Sequence, residues 1–140
     1  VRVSKDLRPA IVGSPRYFES HPKPASPGDL LSHRCINFRH GSAGVYRWEF
    51  DKDNQSLTVA VNGPLIVDDV EIMIRAGIDG VGLAFTDEER VASHLASGAL
   101  VRVLDDWCPP FPGFFLYYPS RRQQSAALSA LIETLRLRRA

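Results

Sequence analysis

The stretch Asp106-Trp-Cys-Pro-Pro-Phe-Pro-Gly-Phe-Phe-Leu-Tyr-Tyr-Pro-Ser120 decides how this chain is read. A loop stiffened by Pro109, Pro110 and Pro112 runs into a short apolar strand, Phe114–Tyr118, that stops at Pro119. Proline fixes φ and removes a ladder donor, so it brackets strands and is kept out of their middles. Arg8-Pro-Ala-Ile-Val-Gly-Ser-Pro-Arg-Tyr-Phe18 has the same logic: an extended run over Leu7–Val12, then a helix start at Ser14-Pro15. Serine caps free amides, and proline is tolerated at the first helical position, where its missing N–H costs nothing. The two passages read as strands that carry the chain across from one body to another and back.

Working outward, Val1–Ser4 is a candidate partner for Leu7–Val12, and His21-Pro-Lys-Pro24 is a stiff connector. Ser26-Pro27-Gly-Asp29 repeats the helix-start signal and predicts a short helix to about Ser32. Cys35–Phe38 reads as a buried strand, Gly41–Gly44 as a loop, Tyr46–Phe50 as a strand bearing Trp48, and Asp51–Asn54 as a polar turn. Leu57–Val61 alternates like a half-exposed strand, and Asn62-Gly63 predicts a hairpin returning through Pro64–Val67. Asp68 and Glu71 have capping-box spacing for a helix to about Gly77, and Thr86 and Glu89 have it for a helix that Gly98 stops. Gly80–Phe85 and Leu100–Leu104 read as strands. In the last helix, Leu128, Leu131, Ile132 and Leu135 form one apolar stripe. Strands alternating with helices give an α/β sheet.

Composition bounds the rest. The chain has 140 residues, 44% of them hydrophobic, which suits one core-forming domain. Seventeen basic against sixteen acidic side chains leave a net charge of +1, which offers no nucleic-acid surface. No apolar run approaches membrane-spanning length, and no signal peptide is read. Two cysteines, Cys35 and Cys108, are expected as free buried thiols rather than a bridge, which points to the cytoplasm. The chain opens in mid-pattern at Val1-Arg-Val3, so it is expected to be a piece of a longer protein.

The motifs in order are Arg8–Phe18, Pro27-Gly-Asp-Leu-Leu-Ser-His-Arg-Cys-Ile-Asn-Phe-Arg39, Tyr46-Arg-Trp-Glu-Phe50 and Gly63-Pro-Leu-Ile-Val-Asp-Asp69. Gly77-Ile-Asp-Gly-Val-Gly-Leu-Ala-Phe85, His94–Leu104 and Phe115-Leu-Tyr-Tyr-Pro-Ser-Arg-Arg122 follow. This order and spacing resembles the effector-binding domain of LysR-type transcriptional regulators over nearly the whole chain. The resemblance implies two Rossmann-like lobes of the type 2 periplasmic-binding-protein kind, with a small acidic or aromatic metabolite between them. Residues 14–112 would be a nearly complete lobe II. Residues 1–13 and 113–140 would be the remnant of lobe I and its crossover strands. No helix-turn-helix or linker helix is read here, so DNA contact would come from an N-terminal domain outside the chain. The Leu128–Leu135 stripe is then expected to be covered by another chain or a rearranged neighbour. A homodimer or higher homo-oligomer is implied, with no membrane partner and no cofactor. The isolated chain is expected to bind effector weakly or not at all, because half of the cleft lies outside it.

Ligands of open α/β sheets sit at strand carboxyl ends beside helix starts. By resemblance, lobe II contributes Arg39, Gly41, Ser42, Asp68, Asp69, Phe85 and Thr86, while Gly13, Ser14, Pro112, Gly113 and Phe114 act as the hinge. Arg39 is the candidate anion contact, because guanidinium pairs carboxylate through two hydrogen bonds; the competing reading is a solvated strand-end arginine. Asp68, Asp69 and Thr86 read first as helix caps, and Trp48 first as core. Enzyme readings fare poorly. Gly77–Gly82 follows a helix and enters a strand, the reverse of a dinucleotide loop, and there is no Gly-x-Ser-x-Gly. His21, His33, His40 and His94 are scattered, and His33-Arg-Cys35 lacks partners at zinc spacing. Cys35 as an oxidant sensor is weighed against a buried strand cysteine, and burial is preferred. The alternative to a regulator is a lobe of a type 2 periplasmic solute-binding protein.

Overall fold

A computed structural model describes residues 6–111 and Ala130. The expectations placed on Val1–Ser4, Pro112–Tyr118 and the C-terminal apolar stripe lie outside these residues. The chain forms two compact units, one of Arg8–Pro109 and one of Val1–Leu7 with Pro110–Ala140. In the latter, Leu7 and Phe111 exchange both backbone hydrogen bonds, at 2.9 and 2.8 Å.

The Arg8–Pro109 unit is built on β1 (Pro9–Gly13), in which Ala10, Ile11 and Val12 are fully buried. It is the middle strand of the β6-β1-β7 ladder. It pairs antiparallel with β6 (Ala84–Asp87), Ile11 opposite Phe85, and with β7 (Val101–Val103), Ile11 opposite Val103. A second ladder pairs β2 (Ile36–Phe38) parallel with β5 (Leu65–Val67). The two meet where Leu83 N–H donates to the Arg34 carbonyl and Ile36 N–H donates to the Leu83 carbonyl, both at 2.8 Å. The strands therefore run β5-β2-β6-β1-β7, with β1 alone reversed. This confirms the expected α/β class.

Side-chain alternation sorts the core onto two faces. Ile11, Cys35 and Leu83 face the hairpin of β3 (Trp48–Lys52) and β4 (Gln55–Val59), where Trp48 and Phe50 are buried. Ala10, Val12, Ile36 and Ala84 face Met73 and Ile74 of α2 (Val70–Ile78) and Val91 of α3 (Glu88–Ser97). Trp48, only 1% exposed, is core.

The Asn62-Gly63 hairpin does not form. β5 does not return along β4 but lies parallel to β2. Gly63 is glycine because one backbone crosses another there. Cys35 N–H donates to the Asn62 carbonyl at 3.0 Å, and a Cβ on Gly63 would fall 1.7 Å from the Cys35 carbonyl oxygen. The true hairpin turn is Asp53-Asn54, both at positive φ (49° and 63°), as a type I′ turn requires. Gly82 repeats the device: its Cβ would lie 2.4 Å from the Arg34 carbonyl oxygen.

Both inferred capping boxes shift by one residue. Asp69, not Asp68, accepts the Ile72 N–H at 3.1 Å, and Asp87, not Thr86, accepts the Arg90 N–H at 3.0 Å. Thr86 is kept in the β1–β6 ladder opposite Ala10. The Ser14-Pro15 start is as expected: α1 (Pro15–Ser20) has Tyr17 N–H donating to Ser14 Oγ at 3.0 Å. Ser26-Pro27 opens a 3₁₀ helix, Pro27–Ser32.

Tyr17 locks α1 to the start of β2. Its hydroxyl accepts the Arg34 N–H at 3.1 Å and lies 2.7 Å from His33 Nδ1. The Tyr17–His33 contact is a hydrogen bond in either direction, set by which ring nitrogen of His33 carries the proton. Burial, then the nearby His21, lowers the His33 pKa below 6.5.

Two predictions follow from this packing. Gly63→Ala lowers stability by about 3 kcal/mol or more, whereas Gly28→Ala, whose Cβ would come no nearer than 3.9 Å to Ser26 Oγ, changes it by under about 0.5 kcal/mol; denaturant midpoints compare them. The depressed His33 pKa means the unfolded chain takes up its proton first. Its contribution is thus complete above about pH 6.5 and is lost as pH falls through the folded value. NMR titration gives a His33 pKa below 6.5.

Candidate functional site

β2, β5 and β6 run the same way, so their carboxyl ends open at one end of the sheet. Arg39 follows β2 there. Its N–H donates to the Val67 carbonyl at 2.8 Å, extending the β2–β5 pairing by one residue. Its side chain is exposed, and among the described residues no carboxylate pairs with it. The chain then loops back: His40 N–H donates to the Gly44 carbonyl at 3.0 Å and Tyr46 N–H to the Phe38 carbonyl at 2.8 Å. Gly41 and Gly44 take positive φ, 47° and 84°, which lets the loop close in six residues; Ser42 is exposed on it.

Aromatic rings continue from this loop into the sheet. His40 lies edge-on to Phe38 at 4.6 Å and to Tyr46 at 5.7 Å, and Tyr46 lies 5.6 Å from Phe85. Phe85 rests in turn on Trp48 and Phe50 at 5.5 and 6.1 Å. Burial, and then the Glu49 charge, raises the Tyr46 pKa, so its hydroxyl stays a neutral donor at physiological pH. The arrangement supplies one cation, one phenol and ring edges: recognition chemistry for a small acid with an apolar or aromatic body.

The inferred site residues divide. Arg39, Gly41 and Ser42 share the loop, and Phe85 joins it through Tyr46. Thr86 points to the opposite sheet face from Phe85 and is buried at 9% exposure. Asp69 caps α2 with its own carboxylate, and Asp68 is exposed beside it. Gly13 and Ser14 lie at the far end of β1, inside one unit, where Ser14 caps α1; the chain passes between units at Leu7–Arg8 and Pro109–Pro110. β1 belongs to the sheet, so the passage precedes it. Pro112, Gly113 and Phe114 lie outside the described residues. Neither Tyr46 nor His40 is among the ligand contacts inferred by name from the sequence. The signal was their position, flanking the glycine loop that begins beside Arg39.

Among the described residues no three His, Cys, Asp or Glu side chains group to hold a metal ion, and no helix is long and apolar enough to cross a membrane. Cys35 and Cys108 are free and buried. Burial pushes the Cys35 thiol up to about 12 and that of Cys108 to about 11.

Residues 4–139 match the family described as the LysR substrate binding domain. A Pseudomonas aeruginosa protein described as a transcriptional regulator is 44% identical over 140 residues, covering 99% of this chain and 46% of that protein. The HTH-type transcriptional regulator PgrR of Escherichia coli is 36% identical over 137 residues, covering 97% of this chain and 46% of its own length. The chain thus spans slightly less than half of these relatives. The regulatory domain of AphB from Vibrio vulnificus, treated with cumene hydroperoxide, matches with a TM-score of 0.68 at 21% identity over 79% of this chain and 55% of that one, a likeness of fold alone.

Thiolate, not thiol, is the reactive form, so burial decides cysteine chemistry here. Both thiols are expected to react with a disulfide reagent at least about a hundredfold more slowly in the native protein than in denaturant. Equal rates for Cys35 would restore the oxidant-sensor reading.

Proposed function

This chain belongs to the LysR substrate-binding-domain family, and on that premise we propose that it is the effector-sensing part of a transcriptional regulator, with Arg39 and the aromatic edge beside it as its share of the effector site. Its fold is the type 2 periplasmic-binding-like α/β fold of LysR regulatory domains. The family is one of transcriptional regulators, which are generally not enzymes. The relatives' descriptions as transcriptional regulators favour this reading over a periplasmic solute-binding protein.

The observation that carries the site is the Arg39 guanidinium. It stands at the carboxyl ends of parallel strands, with no carboxylate on it among the described residues and with His40 and Tyr46 on the same loop. The effector is a small acidic or aromatic metabolite. Its carboxylate pairs with Arg39, the Tyr46 hydroxyl and Ser42 supply neutral hydrogen bonds, and its apolar body lies along the Tyr46–Phe85 edge. Asp68 sets a limit on negative charge at this end. No reaction is catalysed. The ligand acts by binding one arrangement of the regulator better than another, and it shifts the population only by that difference. DNA is contacted by a helix-turn-helix outside this chain, in a homodimer or larger homo-oligomer in the cytoplasm.

The test uses the intact regulator and a panel of small carboxylates with benzoate as the aromatic member, read by thermal shift. One carboxylate raises the melting temperature. Arg39→Gln weakens its binding at least about tenfold, and Tyr46→Phe weakens it less. Unchanged affinity in Arg39→Gln overturns the assignment of this loop.

A further inference from the structure

The Arg8–Pro109 unit has a recess at the opposite end of the sheet from Arg39. It has a volume of about 360 Å³ and is lined by Arg16, Glu19 and Ser20 of α1, His21 after it, Arg34 before β2, and Asp79-Gly80 before β6, over Tyr17. At about 30 Å³ per water it has room for roughly a dozen waters, or a solute of about ten heavy atoms.

The recess has fixed walls. Ser14 holds the first turn of α1, and the Tyr17 hydroxyl ties that helix to the Arg34 backbone. The His21 ring stacks on Tyr17 with centroids 4.3 Å apart and planes 6° from parallel. Its Nδ1 donates to the Tyr17 carbonyl at 3.1 Å, which leaves Nε2 to other partners. Arg34 Nε donates to the Val81 carbonyl at 3.4 Å, so its terminal nitrogens remain available. Gly80, at φ 82°, keeps the rim low: a Cβ there would press on Ser14 Oγ at 3.3 Å.

The lining carries both signs of charge. Asp79 is engaged by Arg75 at 3.5 Å. Among the described residues Arg16, Arg34 and Glu19 have no ion-pair partner, so two cations and one anion are left to a ligand. A simple anion entering here meets Glu19, and a simple cation meets two guanidinium groups. A molecule with a carboxylate and an ammonium on one carbon answers both. We propose that this recess is a second small-molecule site that takes a free amino acid, its carboxylate on Arg34 and Arg16, its ammonium on Glu19, and its side chain along the Tyr17–His21 stack. The site is separate from the Arg39 loop and stands without that assignment.

The experiment is NMR titration of the ¹⁵N-labelled chain with L-alanine, L-glutamate, L-lysine and L-phenylalanine, and with acetate and ethylamine as single-charge controls. At least one amino acid shifts the Tyr17, Ser20 and Gly80 amides saturably, with a Kd of about 1 mM or tighter, and neither control does so at equal concentration. Arg34→Gln weakens that binding at least about tenfold, and Glu19→Gln removes the preference over acetate. Arg39→Gln leaves it unchanged. Both side chains altered are exposed, and amide dispersion reports folding of each variant. Absence of saturable shifts from every amino acid, equal binding of acetate, or full affinity in Arg34→Gln overturns the proposal.

Discussion

Backbone lies on backbone at Arg34–Cys35, and the sheet depends on it. Three backbone hydrogen bonds converge there, linking Leu83 with Arg34 and Ile36, and Cys35 with Asn62, at 2.8 to 3.0 Å. They fuse the β5–β2 pair to the β6-β1-β7 ladder. Neither piece would stand well alone, since two or three short strands bury too little. The approach is close enough that side chains are excluded at Gly63 and Gly82. Glycine costs conformational entropy in an extended segment. Here that cost is offset by a continuous sheet with a core on each face.

The same seam places the chemistry. Because β2, β5 and β6 are joined in parallel, Arg39, Asp68 and the Phe85–Asp87 segment emerge at one end. Arg34 and Gly80, which precede β2 and β6, emerge at the other. β1 runs against them, so α1 starts beside Arg34 and Gly80. One strand direction thus sets a loop of ring edges and one guanidinium at one end, and a mixed-charge recess at the other.

Legibility followed the range of the interaction. Ser14-Pro15, Ser26-Pro27 and Gly98 act within a few residues, and each marks an observed helix boundary. Asn62-Gly63 misled because the dipeptide is a strong hairpin former, while its real role answers a backbone 28 positions away. At Asp68/Asp69 two adjacent carboxylates offered the cap and Asp69 takes it, while α3 is capped by Asp87, which the sequence reading did not offer. The Arg39 loop was readable from its charge and glycines. Its aromatic members were not, because Tyr46 meets Phe85 across 39 residues.

Helix starts are the most general anion-binding feature of α/β sheets. At this end of the unit both are already occupied by their own side chains, α2 by Asp69 and α3 by Asp87, with Glu71, Glu88 and Glu89 in their first turns. An anionic ligand gains little from either helix dipole and meets several carboxylates if it strays from Arg39. The 39–46 loop, by contrast, is held by a few backbone bonds around two glycines of positive φ. On the proposed function, a ligand that pairs with Arg39 and rests on Tyr46 would touch both legs of that loop.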